Sequence, residues 1–458
     1  MRNTIAALPL VALALAASPA LAQEADDVES LRAEVEALNA QLATLSARLD
    51  QLQREQDTTQ AGLAVLAETA PTQAAPSVTA ETSTQIGMGA APEIESADGF
   101  SFKPFGRLML DAGFTSIPDG TGAQDGWGAE ARRVRLGVGG DIPGGFEYKF
   151  EVDFAGNEVD ITDALLGYAA GDFDITVGQF NNFQSLEELT SSRFTSFIER
   201  AAFTDAFGFS RRLGAAVEYG SGDVLVQAGV FHDNLADLPG SDRFSVDGRA
   251  AYFPEIGEDT RLHVGASIHF ADLGDGETVR YRQRPLVHFT SERLVNTGTL
   301  GADGEFGAGV ELALIRGPLH FAAEGFRQEV TGMAGDMDAE FFGGYIESGF
   351  FLTPGDSRGY RGGRWNRTRP ANPVGEGGIG AVQVNLRYDY LDLNDRDAGV
   401  VGGKQNGYQG SLIWTTTDYT RFQINYGRLS YDDAVLALPD GSRDYSVDVV
   451  GVRAEFDF

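Results

Sequence analysis

The chain contains no cysteine, so no disulfide frames it, no thiolate holds a metal and no cysteine nucleophile exists. Lysine is nearly missing as well. Lys103, Lys149 and Lys404 are the only three, and arginine carries almost all positive charge. The five histidines (His232, His263, His269, His288 and His320) are scattered without metal-ligand spacing. No serine stands in a nucleophile elbow, and Gly137-Val138-Gly139-Gly140 reads as strand-to-turn glycine rather than a dinucleotide loop. The sequence therefore predicts no enzyme, with no catalytic residue, no metal site and no cofactor. Positive charge is also too scarce for nucleic acid, since 35 Lys and Arg face 67 Asp and Glu for a net charge of −32. That excess is not a tail effect, because 31 basic and 53 acidic residues lie from residue 100 onward. Long apolar runs are absent too. The longest, Ile5 to Ala17, is too short to span a bilayer as a helix, so any membrane residence must rely on strands.

What is present divides into four segments. Arg2, the apolar run and Ala20-Leu21-Ala22 before Gln23 predict a secretory signal peptide over 1–22. With no cysteine to follow it, a lipoprotein anchor is excluded. Residues 23–57 carry a 3-4 apolar repeat, with Val28, Val35, Leu42 and Leu49 at a and Leu31, Leu38, Leu45 and Leu52 at d. This predicts a short α-helical coiled coil, and one helix of this kind cannot bury its seam alone, which implies self-association. Residues 58–99, rich in Ala, Thr, Pro, Glu and Ser, read as a flexible linker.

From residue 100 to 458 the period changes to two. Phe146, Tyr148, Phe150, Val152 and Phe154 alternate with Glu147, Lys149, Glu151 and Asp153. Val382, Val384, Leu386, Tyr388 and Tyr390 alternate with Gln383, Asn385, Arg387 and Asp389. Residues 261–270 repeat the design, with His263 and His269 on the polar side. In a strand such sets point to opposite faces, one greasy and one charged. The segments are long enough for lipid-facing strands, which need roughly 9–11 residues. The last one sets Val450, Val452, Ala454, Phe456 and the terminal Phe458 on one face, as in the closing strand of a bacterial outer-membrane barrel.

Sixteen segments qualify: 103–114, 131–140, 145–155, 161–169, 172–180, 211–219, 223–232, 246–254, 260–270, 304–316, 318–329, 340–352, 379–391, 407–416, 420–430 and 446–458. A seventeenth, 278–290, is rejected on parity, because a barrel with both ends in the periplasm has an even strand number. The expected fold is all-β: a 16-stranded antiparallel transmembrane β-barrel behind an N-terminal helical segment. Parity places 181–210 and 271–303 outside the cell. It places 353–378 on the periplasmic side, where connections are normally short, so that segment is expected to fold back into the lumen.

Sixteen strands enclose an aqueous channel whose lining decides what passes. The inward rows carry Arg107, Arg133, Arg135 and Arg212, and the long periplasmic link carries Arg358, Arg361, Arg364 and Arg367, with no acid between Asp356 and Glu376. A guanidinium stays charged and donates paired hydrogen bonds, which suits phosphate and other oxyanions. These eight are the candidate pore-lining, anion-binding residues. The alternative use for any one of them is to brace the wall by pairing with an acid.

Several stretches together resemble the phosphate-selective porin O and P family: Val177-Gly178-Gln179-Phe180 with Ser185-Leu186-Glu187-Glu188 and Phe197-Ile198-Glu199-Arg200, then Arg282-Gln283-Arg284-Pro285, Phe351-Leu352-Thr353 with Arg358-Gly359-Tyr360, and Arg387-Tyr388-Asp389-Tyr390-Leu391-Asp392-Leu393-Asn394-Asp395. The resemblance covers roughly 100–458. It implies a homotrimeric porin of the Gram-negative outer membrane, with its N-terminal segment periplasmic. It implies contact with lipid and lipopolysaccharide, a lumen narrowed by infolded connections, and passage of phosphate-type anions. The acid excess, and Glu147, Glu151 and Asp153 facing inward, keep open a general or cation-preferring porin. The coiled coil keeps open a structural envelope barrel tethered through it.

Overall fold

In the computed structural model the described residues are 84–88, 91–238, 242–274, 276–334 and 337–458. The signal-peptide and coiled-coil segments, 1–57, lie outside them, as does most of 58–99. Within that linker a hairpin replaces the expected flexible chain. Gln85–Met88 pairs with Pro92–Glu95, which continues onto the first barrel strand through Ile94 opposite Phe102. Two runs of only four residues carry too little periodicity to be recognised in sequence.

The wall consists of β1 (Ser101–Ser116), β2 (Gly126–Ile142), β3 (Phe146–Asp153), β4 (Asp160–Ala170), β5 (Phe173–Asn181), β6 (Arg211–Ser221), β7 (Val224–Phe231), β8 (Phe244–Tyr252), β9 (Thr260–Asp272), β10 (Gly304–Arg316), β11 (Leu319–Met333), β12 (Met337–Phe351), β13 (Ala381–Asp395), β14 (Val400–Thr415), β15 (Thr420–Asp432) and β16 (Tyr445–Asp457). Each strand pairs antiparallel with the next, and β16 closes on β1 with Val452 opposite Ala112. Backbone N–H groups of Gly106 and Phe458 each donate to the other residue's carbonyl at 3.1 Å, which completes the seam. All sixteen expected segments are wall strands. Residues 278–290 are not; they contribute only two-residue strands to a long connection.

The alternation sorts as period two requires. Leu386 is 69 % exposed on the outer face, whereas Asp389 and Glu151 on the inner rows are 0 % exposed. At one end the connections are short (143–145, 171–172, 222–223, 317–318 and 416–419), apart from 253–259 and the long 352–380. The long connections 182–210 and 273–303 belong to the opposite end. The main apolar core lies inside that opposite mouth, where Phe203, Phe207, Tyr281, Leu294 and Val295 pack on inward-facing Phe326, Phe341, Leu391 and Leu429.

The seam tolerates little bulk. A Cβ on Gly113 would lie 2.1 Å from the carbonyl oxygen of Val450 and 2.8 Å from the Phe289 ring. We expect Gly113→Ala to destabilise closure by about 1–3 kcal/mol, the usual cost of overpacking. The shift in gel mobility between unheated and boiled samples should then vanish at a lower temperature than in the unmodified chain.

Candidate functional site

Two connections enter the lumen from opposite ends and meet there. The first, 182–201, holds the short helix Leu186–Leu189. Ser185 precedes it in the left-handed region (φ 67°), and its Oγ accepts from the Glu188 N–H at 3.2 Å. A non-glycine residue there costs free energy and persists only where its surroundings over-determine it. They do. Glu324 of β11 accepts the N–H groups of Leu186 and Glu187, both at 2.8 Å, and Asp389 of β13 accepts that of Ala202 at 3.0 Å. Asp247 of β8 accepts from Asn182 Nδ2 at 3.1 Å and Gln184 Nε2 at 2.6 Å. The Arg387 guanidinium lies between the rings of Phe197 (4.4 Å) and Tyr345 (4.5 Å). It pairs with Glu347 at 2.6 Å and with Glu187. Arg200 then caps the helix, donating to the carbonyls of Glu187 (3.0 Å), Glu188 (3.2 Å) and Thr190 (2.8 Å).

A bulge assists. Met109 opposes Arg133 while Leu110 opposes Ala131, so Arg132 is the extra residue and turns inward beside Arg133. It holds Glu199 of the connection through bonds of 2.9 and 3.1 Å. Burial pushes the Glu199 carboxyl up, but Arg132 outweighs it and holds the group well below the ordinary carboxylate range.

The second connection, within 352–380, does fold into the lumen. Gly359–Arg361 and Arg364–Asn366 form a hairpin around Gly362 and Gly363, whose φ of 57° and 72° suits the two-residue turn that follows strand twist. Its anchors are mutually braced. Arg249 binds Glu311 bidentately (2.8 and 2.7 Å) and donates to the Gly363 carbonyl at 2.8 Å. His263 bridges Glu311 (3.0 Å) and the Tyr360 hydroxyl (2.5 Å). The connections touch where the Trp365 N–H donates to Thr190 Oγ1 at 3.3 Å and where Arg358 donates to the Phe194 carbonyl.

Between them and the wall of β1–β7 lies a cavity of about 580 Å³. Nine basic side chains border it against four acidic ones. Of the eight candidates, the structure brings Arg107, Arg133, Arg135, Arg361 and Arg364 together there. Arg107 and Arg135 are braced, sharing Glu151 at 2.9 and 3.0 Å, and Arg135 also binds Asp153 at 2.7 Å. Arg133, Arg361 and Arg364 form no ion pair with a described carboxylate. Three candidates lie elsewhere. Arg212 faces Asp233 at 3.5 Å, Arg358 is buried against the Trp365 ring at 5.1 Å, and Arg367 is paired with Asp457.

Four further cations border the cavity. Lys149 and Arg211 clamp Asp163 at 2.5 and 2.8 Å, Arg193 reaches Asp457 at 3.0 Å, and Arg200 stands 3.4 Å from Glu188. Lys149 was legible as inward-facing; Arg193 and Arg200 sit on the infolded connection, where no period marks direction, and Arg211 opens β6 beside Arg212, the residue that alternation turned inward. Among the described residues no group of three or more His, Cys, Asp or Glu could hold a metal.

The model of the family described as phosphate-selective porin O and P matches residues 102–458. An uncharacterized protein of Caulobacter vibrioides is 45 % identical over 397 residues, covering 84 % of this chain and 79 % of its own. Among solved structures, the outer membrane channel DcaP of Acinetobacter baumannii superposes with a TM-score of 0.50 at 15 % identity, over 80 % of this chain and 99 % of that one. Pseudomonas putida OprB gives 0.50 at 12 % identity, over 79 % and 94 %. Those two share the fold. With its closed sixteen-stranded wall, its doubly narrowed lumen and the match across that whole wall, the chain belongs to the phosphate-selective porin O and P family of outer-membrane channels.

Proposed function

We propose that the protein is a passive diffusion channel for small hydrophilic anions, phosphate-type oxyanions among them. One observation carries the reading: nine cations border the cavity between the infolded connections, and three of its guanidiniums, those of Arg133, Arg361 and Arg364, have no carboxylate partner among the described residues. An unpaired Arg fork in a confined aqueous passage attracts oxyanions, repels cations and releases its guest by exchange with water. The net charge of −32 favours a different reading, a general or cation-preferring pore. The three unpaired guanidiniums support the anion reading over it, because fields are screened beyond about 8–10 Å at physiological salt and a passing ion senses the wall it touches.

Wild-type channels in a planar bilayer under a KCl gradient should give a reversal potential on the chloride side, with phosphate lowering chloride current. A reversal potential on the potassium side would assign the cation-preferring alternative.

In this reading the eight candidate arginines divide into the five that meet the solute and three that hold the architecture. The end bearing the short turns faces the periplasm, with residues 23–57 as a periplasmic coiled coil, and three barrels associate as a homotrimer among lipid and lipopolysaccharide. The heptads of 28–52 and the tether-like spacing of 58–84 support that arrangement.

A further inference from the structure

One part of the anion cavity has the wrong chemistry for a purely hydrophilic solute. Many inward positions on the strands around it are polar, as with Glu147, Lys149, Gln179 and Gln227. Yet Leu165 on β4, Phe180 on β5, Ala216 on β6 and Phe231 on β7 make a contiguous apolar patch across four neighbouring strands, with Phe183 of the first connection set upon it. Phe180, Phe183 and Phe231 form a three-ring cluster with centroids 5.3 to 6.3 Å apart. The core at the loop end is sealed by its own connections. This patch is sealed only in part: Phe180, Phe183 and Ala216 are buried but stand at the edge of the open cavity, and Leu165 beside them is only half-buried. The guanidiniums of Arg133, Arg361 and Arg364, none of them ion-paired with a described carboxylate, border the same cavity. Aromatic faces and arginines already associate in this lumen, since Arg193 and Arg367 stand over Phe194 at 5.0 and 5.3 Å.

A solute matching both linings carries an oxyanion on a flat apolar body. The carboxylate binds a guanidinium fork, the ring covers Leu165 and the cavity edge of the phenyl cluster, and the cavity falls within the roughly 300–1,000 Å³ of small-molecule sites. We propose that the channel prefers anions that bear an aromatic ring, aromatic carboxylates above all, over aliphatic anions of the same charge, and that the patch at Leu165, Phe180 and Phe183 sets this preference. The proposal rests on the anion-channel reading above and adds a specificity to it.

The test compares benzoate with acetate, which share a carboxylate and differ by the ring. Full-length channels are held at neutral pH with potassium benzoate on one side and potassium acetate on the other. The reversal potential reports the permeability ratio, and leakage of neutral acid through lipid carries no current. Covering about 30 Å² of apolar surface predicts benzoate favoured by about threefold. In Leu165→Gln combined with Phe180→Gln, side chains of the kind found at neighbouring inward positions, the ratio should fall to about one while chloride over potassium selectivity stays as in wild type. Phe183→Leu, which keeps the patch apolar, should keep the preference. A wild-type ratio at or below one, or a ratio unmoved in the double variant, overturns the proposal. Potassium preference in the KCl gradient instead overturns the anion-channel reading beneath it, so the two failures are told apart.

Discussion

Replacing Arg387 with Met should release the infolded connection 182–201 and raise single-channel conductance, while lowering the temperature at which the barrel loses its gel-mobility shift. Arg387 is 4 % exposed, lies between two aromatic rings and is the cation that neutralises both Glu187 of the connection and Glu347 of the wall. Removing one member of a buried pair leaves the carboxylates desolvated and uncompensated, which costs about 3–5 kcal/mol. The chain can lower that cost by letting Glu187 swing into water, and that movement withdraws the helix Leu186–Leu189 from Glu324. The anchors at Asp247 and Arg132 remain, so the connection should loosen at its tip rather than leave the lumen. Conductance and noise in planar bilayers measure the loosening, and heat-modifiability measures the stability. A variant with unchanged conductance and unchanged heat resistance would show that Arg387 holds nothing.

The second large effect concerns selectivity. In Arg133→Gln, Arg361→Gln and Arg364→Gln combined, anion over cation permeability should fall by about tenfold. A unit charge about 6 Å from an ion in water contributes roughly 0.7 kcal/mol, so three removed charges come to about 2 kcal/mol before screening reduces the sum. These three have no carboxylate partner among the described residues, so their loss orphans no acid in the wall. The barrel should therefore fold and insert as wild type does. Arg358 is the instructive control. It belongs to the same sequence cluster but is buried against Trp365 and bonded to the Phe194 carbonyl. Arg358→Gln should affect packing of the hairpin far more than ion preference. Reversal potentials measured side by side check both statements, and equal selectivity in the triple variant and wild type would remove these residues from the permeation path.

The arginines show how far the sequence could be read. Arg107 and Arg135 were placed inward by simple alternation, and they are inward, but alternation could not reveal that Glu151 engages both. The run 358–369 was correctly expected to enter the lumen because its position among the strands made a long link anomalous. What split it was the turn at Gly362 and Gly363, which presents Arg361 and Arg364 to the cavity and leaves Arg358 and Arg367 at its base. Arg132 was missed because a bulge broke the two-residue period at that residue. The apolar residues Phe326, Phe341 and Leu391 lie on inner rows, where a water-filled lumen would not admit them; only the connections that cover them make their burial favourable.

The sequence by itself determined the wall: the sixteen strands, the even count, the outward apolar rows and the rejection of 278–290. Each follows from a period of two residues and from the length needed to cross hydrocarbon, which are local properties that any stretch carries within itself. The tertiary structure alone decided which arginines are braced and which are free, where the two connections meet, and that an apolar patch borders the cations. Those outcomes depend on partners far apart in the chain, such as Arg387 with Glu187 or Arg249 with the Gly363 carbonyl. Pairing across such separations is set by how the closed barrel brings its faces together, and no repeat along the chain encodes it.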